Sequence, residues 1–136
     1  MNITDEILCL ILKKTKNLAF LCISSCPLVT DKVIEVASLT AGNRLTHVTF
    51  AGLPKITDFG IQILARNCSN LEGVDLTNST KISEIGVKDL LSMCPFLTLL
   101  DLQRLGSGAG YAINERFIPY VIAYGISLKY LCLAGC

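Results

Sequence analysis

No stretch of this sequence is apolar for long enough to cross a membrane. The longest apolar run near the N-terminus is Ile7 to Leu12, against the roughly 20 residues a spanning helix needs. That run also lacks the basic leader and small-residue cleavage site of a secretory signal. Charge of one sign is missing too. Twelve Lys plus Arg face eleven Asp plus Glu, and the basic residues gather only at Lys13, Lys14 and Lys16. Phosphate binding draws on a concentrated basic face, so nucleic acid is not an expected partner. The seven cysteines, an odd number, contain no CxxC pair. They read as reduced thiols of a cytoplasmic or nuclear protein rather than a disulfide framework.

What the sequence does contain is repetition. Five segments share the apolar frame Leu-x-x-(Leu/Val)-x-(Leu/Ile/Phe)-x-x-end: Leu18 to Cys26, Leu45 to Leu53, Leu71 to Ser79, Leu97 to Leu105 and Leu128 to Cys136. Their first leucines lie 27, 26, 26 and 31 residues apart, within the upper range of leucine-rich repeats. Of twenty anchor positions only Ser79 is polar.

A second frame keeps nearly the same step. Ile3-Thr4-Asp5, Val29-Thr30-Asp31, Ile56-Thr57-Asp58, Ile82-Ser83-Glu84 and Ile113-Asn114-Glu115 each set an aliphatic residue before a capping residue and an acid. The hydroxyl or amide caps free N–H groups at a helix start, and the acid favours the positive end of the helix dipole. The predicted helices run Asp5 to Lys16, Asp31 to Leu39, Asp58 to Arg66, Glu84 to Met93 and Glu115 to Tyr124. Apolar spacing such as Ile61, Leu64, Ala65 or Val87, Leu90, Leu91 gives each an inward stripe. Pro119 predicts that the fifth helix starts late or kinks.

The expected fold is therefore α/β: a right-handed leucine-rich-repeat solenoid, a horseshoe arc with a parallel β-sheet on its concave face and α-helices on its convex face. It is read as one domain over residues 1–136, with repeats near 1–26, 27–53, 54–79, 80–105 and 106–136. The sheet should be only about 20 to 25 Å wide. Apolar, uncapped flanks suggest a fragment of a longer array or ends covered by partners.

Thr-Asp near each repeat start, Cys68 and Cys94 in Cys-x-x-Leu, and strands ending in Cys26 and Cys136 resemble the cysteine-containing leucine-rich repeat. The resemblance covers essentially the whole chain. This subtype is typical of F-box and leucine-rich-repeat substrate receptors of SCF ubiquitin ligases, and occurs in antagonist-of-mitotic-exit proteins and axonemal dynein regulatory complex subunits. It implies a protein-binding module for substrate recognition in ubiquitin-dependent degradation, or a scaffold subunit of an axonemal assembly. The first implies cytoplasm or nucleus and SCF components as partners; the second implies the cilium. The chain departs from the pattern in having no F-box segment, in Leu53, Ser79 and Leu105 at the terminal Cys or Asn position, and in an enlarged fifth repeat.

Strand alternation places three rows on the concave face: Phe20, His47, Gly73, Leu99 and Tyr130; Cys22, Thr49, Asp75, Asp101 and Cys132; Ser24, Ala51, Thr77, Gln103 and Ala134. From these the expected partner-binding set is Phe20, His47, Thr49, Asp75, Thr77, Asp101, Gln103 and Tyr130. Asp75 and Asp101 should lie side by side, an unfavourable pairing that either a basic partner side chain, solvent, or Arg104 or Lys129 would relieve.

Other patterns carry less. Thr49, His47 and Asp75 invite a catalytic reading, but nothing supplies an oxyanion hole or a closed pocket, so no enzyme is expected. The glycine-rich 106–110 segment lacks the Lys-Ser/Thr of a phosphate loop and reads as an enlarged turn within the 106–112 insertion. Cys22/Cys26 and Cys132/Cys136 stand at opposite ends of the arc and cannot converge on one ion, so neither metal nor cofactor is expected. Cys68 and Cys94 suit the core as small apolar residues with a weak donor.

Overall fold

Short strands alternate with helices because the two apolar frames demand it: period two where a residue must face either core or solvent, and three-four spacing where a helix lays one stripe on the sheet. The computed structural model describes residues 3–107 and 113–136. In chain order the elements are α1 (Asp5–Lys14), β1 (Phe20–Cys22), α2 (Asp31–Ala41), β2 (His47–Thr49), α3 (Asp58–Asn67), β3 (Gly73–Asp75), α4 (Glu84–Met93), β4 (Leu99–Asp101), α5 (Ile118–Tyr124) and β5 (Tyr130–Cys132). The five strands form one parallel sheet in the order β1-β2-β3-β4-β5. Neighbouring helices pack in the same order along its other side. This is the α/β leucine-rich-repeat arc that the sequence predicts, with the sheet concave and the helices convex.

The pairing is in strict register. Phe20, His47, Gly73, Leu99 and Tyr130 stand opposite one another, as do Cys22, Thr49, Asp75, Asp101 and Cys132. Between these rows the inward side chains Val48, Val74 and Leu100 lie in the core with Phe50, Leu76 and Leu102. The helix stripes Ile61, Leu64, Ala65 and Val87, Leu90, Leu91 close the core from the other side.

Helix ends differ from the predicted bounds by small amounts with visible causes. α1 stops at Lys14 because the Thr15 backbone N–H and hydroxyl both turn back to the Ile11 carbonyl. α2 runs to Ala41 and passes into a 3₁₀ turn, Gly42–Arg44. The fifth helix opens with a 3₁₀ turn, Glu115–Phe117, and becomes α-helical only at Ile118, with Pro119 in its first turn where a missing N–H costs nothing. Phe117 is the buried anchor there. Gly106 and Ser107 lie in a turn after β4; the remainder of the predicted glycine-rich insertion, 108–112, lies outside the described residues.

The capping triplets do more than cap. Thr30, Thr57, Ser83 and Asn114 each accept from the backbone N–H two residues on, as a cap should, whereas Thr4 makes no such side-chain bond. The three aspartates of these triplets, expected to serve mainly their own helix dipoles, reach into the next repeat. Asp5 accepts from the Thr30 N–H at 2.9 Å and its hydroxyl at 2.5 Å. Asp31 does the same to Thr57 at 2.9 and 2.6 Å, and Asp58 to Ser83 at 2.8 and 2.6 Å. Gly60 and Gly86 make room for these carboxylates: a Cβ on Gly86 would stand 2.6 Å from Asp58 Oδ1, and one on Gly60 would overlap Asp31 Oδ1.

Two further sets of side chains join successive repeats. On the helix side, the buried thiol of Cys94 donates to the Cys68 carbonyl at 3.6 Å, and Cys68 approaches the Ser38 carbonyl at 4.0 Å. Near the strand exits, Ser79 donates to the Phe50 carbonyl at 2.8 Å and Cys136 to the Leu102 carbonyl at 2.9 Å. The one polar anchor in the frame is therefore a buried hydroxyl with a partner, which a buried polar group requires.

At both ends apolar side chains that would be interior in a central repeat are open. Leu131 and Leu133 are 36% and 42% exposed, whereas their counterparts Leu100 and Leu102 are fully buried. Ile122 and Ile126 extend this surface on the helix side, and Ile7, Leu10 and Ile11 form its equivalent on α1.

Candidate functional site: a hollow on the concave sheet

Among the four side chains that surround Gly73 in its row, Phe20, His47, Leu99 and Tyr130, none is small. The missing side chain at Gly73 leaves a hollow of about 340 Å³, lined by residues including His47, Thr49, Gly73, Asp75, Leu99, Asp101 and Tyr130. The imidazole of His47 leans across Gly73, so that a Cβ there would meet His47 Cδ2 at 2.5 Å. On its other side His47 is stacked on Phe20, with ring centroids 4.8 Å apart and planes 16° from parallel.

His47 is fixed by its neighbour rather than by an acid. Its Nδ1 lies 3.0 Å from Thr46 Oγ1, and that hydroxyl gives its single hydrogen to the Ala19 carbonyl at 3.1 Å. The Thr46 oxygen can therefore only accept from the imidazole, which makes neutral His47 the Nδ1–H tautomer and leaves Nε2 as the acceptor. Because the ring's fixed partner is Thr46 and not Asp75, the arrangement is not that of a relay from Thr49 through His47 to Asp75.

Asp75 and Asp101 are register partners on β3 and β4. Each turns one oxygen back onto its own strand exit: Asp75 Oδ1 accepts from the Thr77 N–H at 2.9 Å, and Asp101 Oδ1 from the Gln103 N–H at 3.0 Å. These bonds hold the carboxylates in place and explain the extended-to-turn change that follows each strand. They do not cancel either charge. The Tyr130 hydroxyl reaches Asp101 Oδ2 at 3.4 Å. A hydrogen bond with Cys132, followed by the charge of Asp101, pushes the Tyr130 phenol above its ordinary range. Arg104, one of the two expected counter-ions, lies along Gly135, where a Cβ would stand 3.0 Å from its Cγ.

Of the eight residues named from the sequence, the structure brings His47, Thr49, Asp75, Asp101 and Tyr130 together around the hollow. Phe20 stands beside it, supporting His47. Thr77 and Gln103 meet the carboxylates through their backbone N–H groups. Gly73 and Leu99, which strand alternation puts on this face, belong to the hollow although neither carries a polar group. The signal for Gly73 was its place in the row: the single position without a side chain between four large ones. Among the described residues, no three His, Cys, Asp or Glu side chains are grouped as a metal site would need.

No family model matches the chain. Among solved structures it is similar to the tropomodulin C-terminal domain of Caenorhabditis elegans, with a TM-score of 0.69 and 12% sequence identity over 97% of this chain and 83% of that one. At that identity the likeness concerns the fold. Two chains that share so few residues still share the arc, because the repeat frame constrains the burial pattern and leaves the exposed rows free. Among the described residues, no helix is long and apolar enough to cross a membrane.

Proposed function

We propose that this chain is a protein-interaction module that holds a partner segment against the concave sheet, and that it serves as a substrate-recognition unit of SCF-type ubiquitin-dependent degradation in the cytoplasm or nucleus. The observation that carries the binding reading is the hollow at Gly73, where a rigid sheet presents apolar walls and two fixed carboxylates to solvent. Binding sites of this kind combine apolar area with a few placed polar groups. The ligase setting rests on the Cys-x-x-Leu and Thr-Asp resemblance. In that setting an F-box supplied elsewhere would dock the ligase.

The test uses the tagged full-length protein in cells. Leu99→Glu places a charge on the concave wall, and Ile85→Glu places the same charge on the exposed convex side. The reading expects the first to strip protein partners and the second to leave them, with the ligase core recovered alongside wild type. Partners unchanged by Leu99→Glu would overturn the concave-face assignment, and absence of the ligase core from the wild-type complex would overturn the ligase setting.

A second reading, a scaffold subunit of a large assembly such as an axonemal complex, is favoured by the open Leu131, Leu133, Ile122 and Ile126 surface. Apolar area of that kind is ordinarily covered by a neighbour. Ciliary localisation of the tagged protein, with partners lost on Leu133→Glu rather than Leu99→Glu, would favour it.

A further inference from the structure

We infer that the hollow at Gly73 receives an arginine side chain of the bound partner, with its guanidinium between Asp75 and Asp101. The inference rests on the interaction reading above and deepens it.

Four observations converge on that chemistry. First, the hollow lies between large side chains; Gly73 and Val74 line it between His47 and Leu99. Such apolar walls suit an aliphatic stem better than a compact polar group. Secondly, two carboxylates meet at one rim in register on adjacent strands, where like charges are unfavourable without a cation between them. Thirdly, each has one oxygen already held by a backbone N–H, so the carboxylates are preorganised and little ordering is needed on binding. Fourthly, the Tyr130 hydroxyl, on the strand next to Asp101, reaches Asp101 Oδ2 at 3.4 Å, so the side-chain donor that meets this carboxylate is a neutral one and its charge stays open to a cation.

Arginine fits this combination better than lysine. Its flat fork can donate to two separate carboxylates at once, while a hydrated ammonium is a point charge that does so less well. The stacked Phe20 and His47 on one side and outward-facing Leu99 on the other also give the partner backbone an apolar seat, as an extended segment crossing the strands would use.

The probe is the capped tripeptide acetyl-Gly-Arg-Gly-amide, titrated into the full chain at low ionic strength and followed by NMR, beside its citrulline and lysine counterparts. Citrulline keeps the shape of arginine and removes its charge. Saturable shifts of the Gly73 amide and Leu99 methyl resonances are expected, with arginine bound about tenfold more tightly than citrulline, the scale of one charge-assisted contact. Asp75→Asn with Asp101→Asn should abolish that preference while keeping the Thr77 and Gln103 N–H bonds, and hence the fold. Absence of saturable shifts up to about 10 mM peptide, equal affinity for arginine and citrulline, or lysine bound as tightly as arginine would each overturn the assignment. If the peptide fails while Leu99→Glu still strips partners, the interaction reading stands without the arginine. If the peptide binds while Leu99→Glu leaves partners in place, the hollow prefers arginine but the concave-face reading falls, and with it the assignment to a partner's side chain.

Discussion

Asp58, on the first turn of α3, holds Ser83 of the next repeat by both its N–H and its hydroxyl, at 2.8 and 2.6 Å, and takes a third hydrogen bond from the Gly86 N–H at 3.1 Å. One carboxylate thereby fixes the start of α4 against α3. Asp58→Ala should cost about 2–3 kcal/mol, because charged hydrogen bonds are lost and their donors stranded. Asp58→Asn should cost less. Urea midpoints of the two variants check this, and equal midpoints would refute the role of the charge.

Gly60 should behave against helix propensity. Replacing a helical glycine with alanine ordinarily gains up to about 1 kcal/mol, but a Cβ on Gly60, in the first turn of α3, overlaps the Asp31 carboxylate, which Thr57 holds by two bonds. Gly60→Ala should therefore destabilise the wild type and stabilise an Asp31→Ala background. A double-mutant cycle measures that change of sign.

Ser79→Ala leaves the buried Phe50 carbonyl without its hydroxyl donor and should cost about 1–3 kcal/mol. Ser79→Cys should cost less, since Cys136 makes the equivalent bond to Leu102 with sulfur. Thermal melts of the two variants distinguish a hydrogen-bonding role from simple filling.

Burial pushes the thiol of Cys68 up to about 11 and that of Cys94 to about 12, from an ordinary value of 9.0. Between those values the folded chain keeps protons that the unfolded chain loses. The associated stability is thus complete below pH 9 and declines as pH rises through the folded values. Cys68→Ala with Cys94→Ala should flatten the alkaline fall in melting temperature. At neutral pH iodoacetamide should label exposed Cys22 and Cys136 first and leave Cys68 and Cys94 until unfolding, as peptide mass mapping would read.

The arc was legible because its two apolar frames are independent and agree. Leu71, Val74 and Leu76 state period two, Ile61, Leu64 and Ala65 state the helix, and the constant step sets both in register. Thr57 was legible as a cap because its donor lies two residues away. The partner of Asp31 was not, because that bond spans 26 residues and a local reading assigns the acid to its own helix. A clue was present in the glycine two places after Asp58 and Glu84, which makes room for a carboxylate from the previous repeat at Gly60 and Gly86. At the site, alternation was enough to name His47, Asp75, Asp101 and Tyr130. The hollow itself escaped a search for polar groups, since Gly73 contributes only an absence and Leu99 only a wall. The side-chain direction of Arg104, which turns along Gly135, follows from its left-handed backbone, φ +53°, and no spacing rule announces it.

Among the described residues, the backbone bonds between strands run both ways, but the side-chain bonds between repeats all run one way. Thr57 gives its hydrogen to Asp31 and Ser83 to Asp58, while Cys94 and Ser79 likewise give theirs to carbonyls earlier in the chain. A hydroxyl has one hydrogen to give, so the array has a grain: a unit can be copied or excised in whole steps, but never reversed. Cutting out residues 54–79, one step of 26, would bring Asp31 to Ser83 and Thr49 beside Asp101, restoring the carboxylate rung across the splice, although Leu105 would replace the Ser79 donor to Phe50. The same cut would remove Gly73 and Asp75. Lineages that lengthen or shorten such an arc could thus keep its architecture whole while gaining or losing a recognition site in a single event.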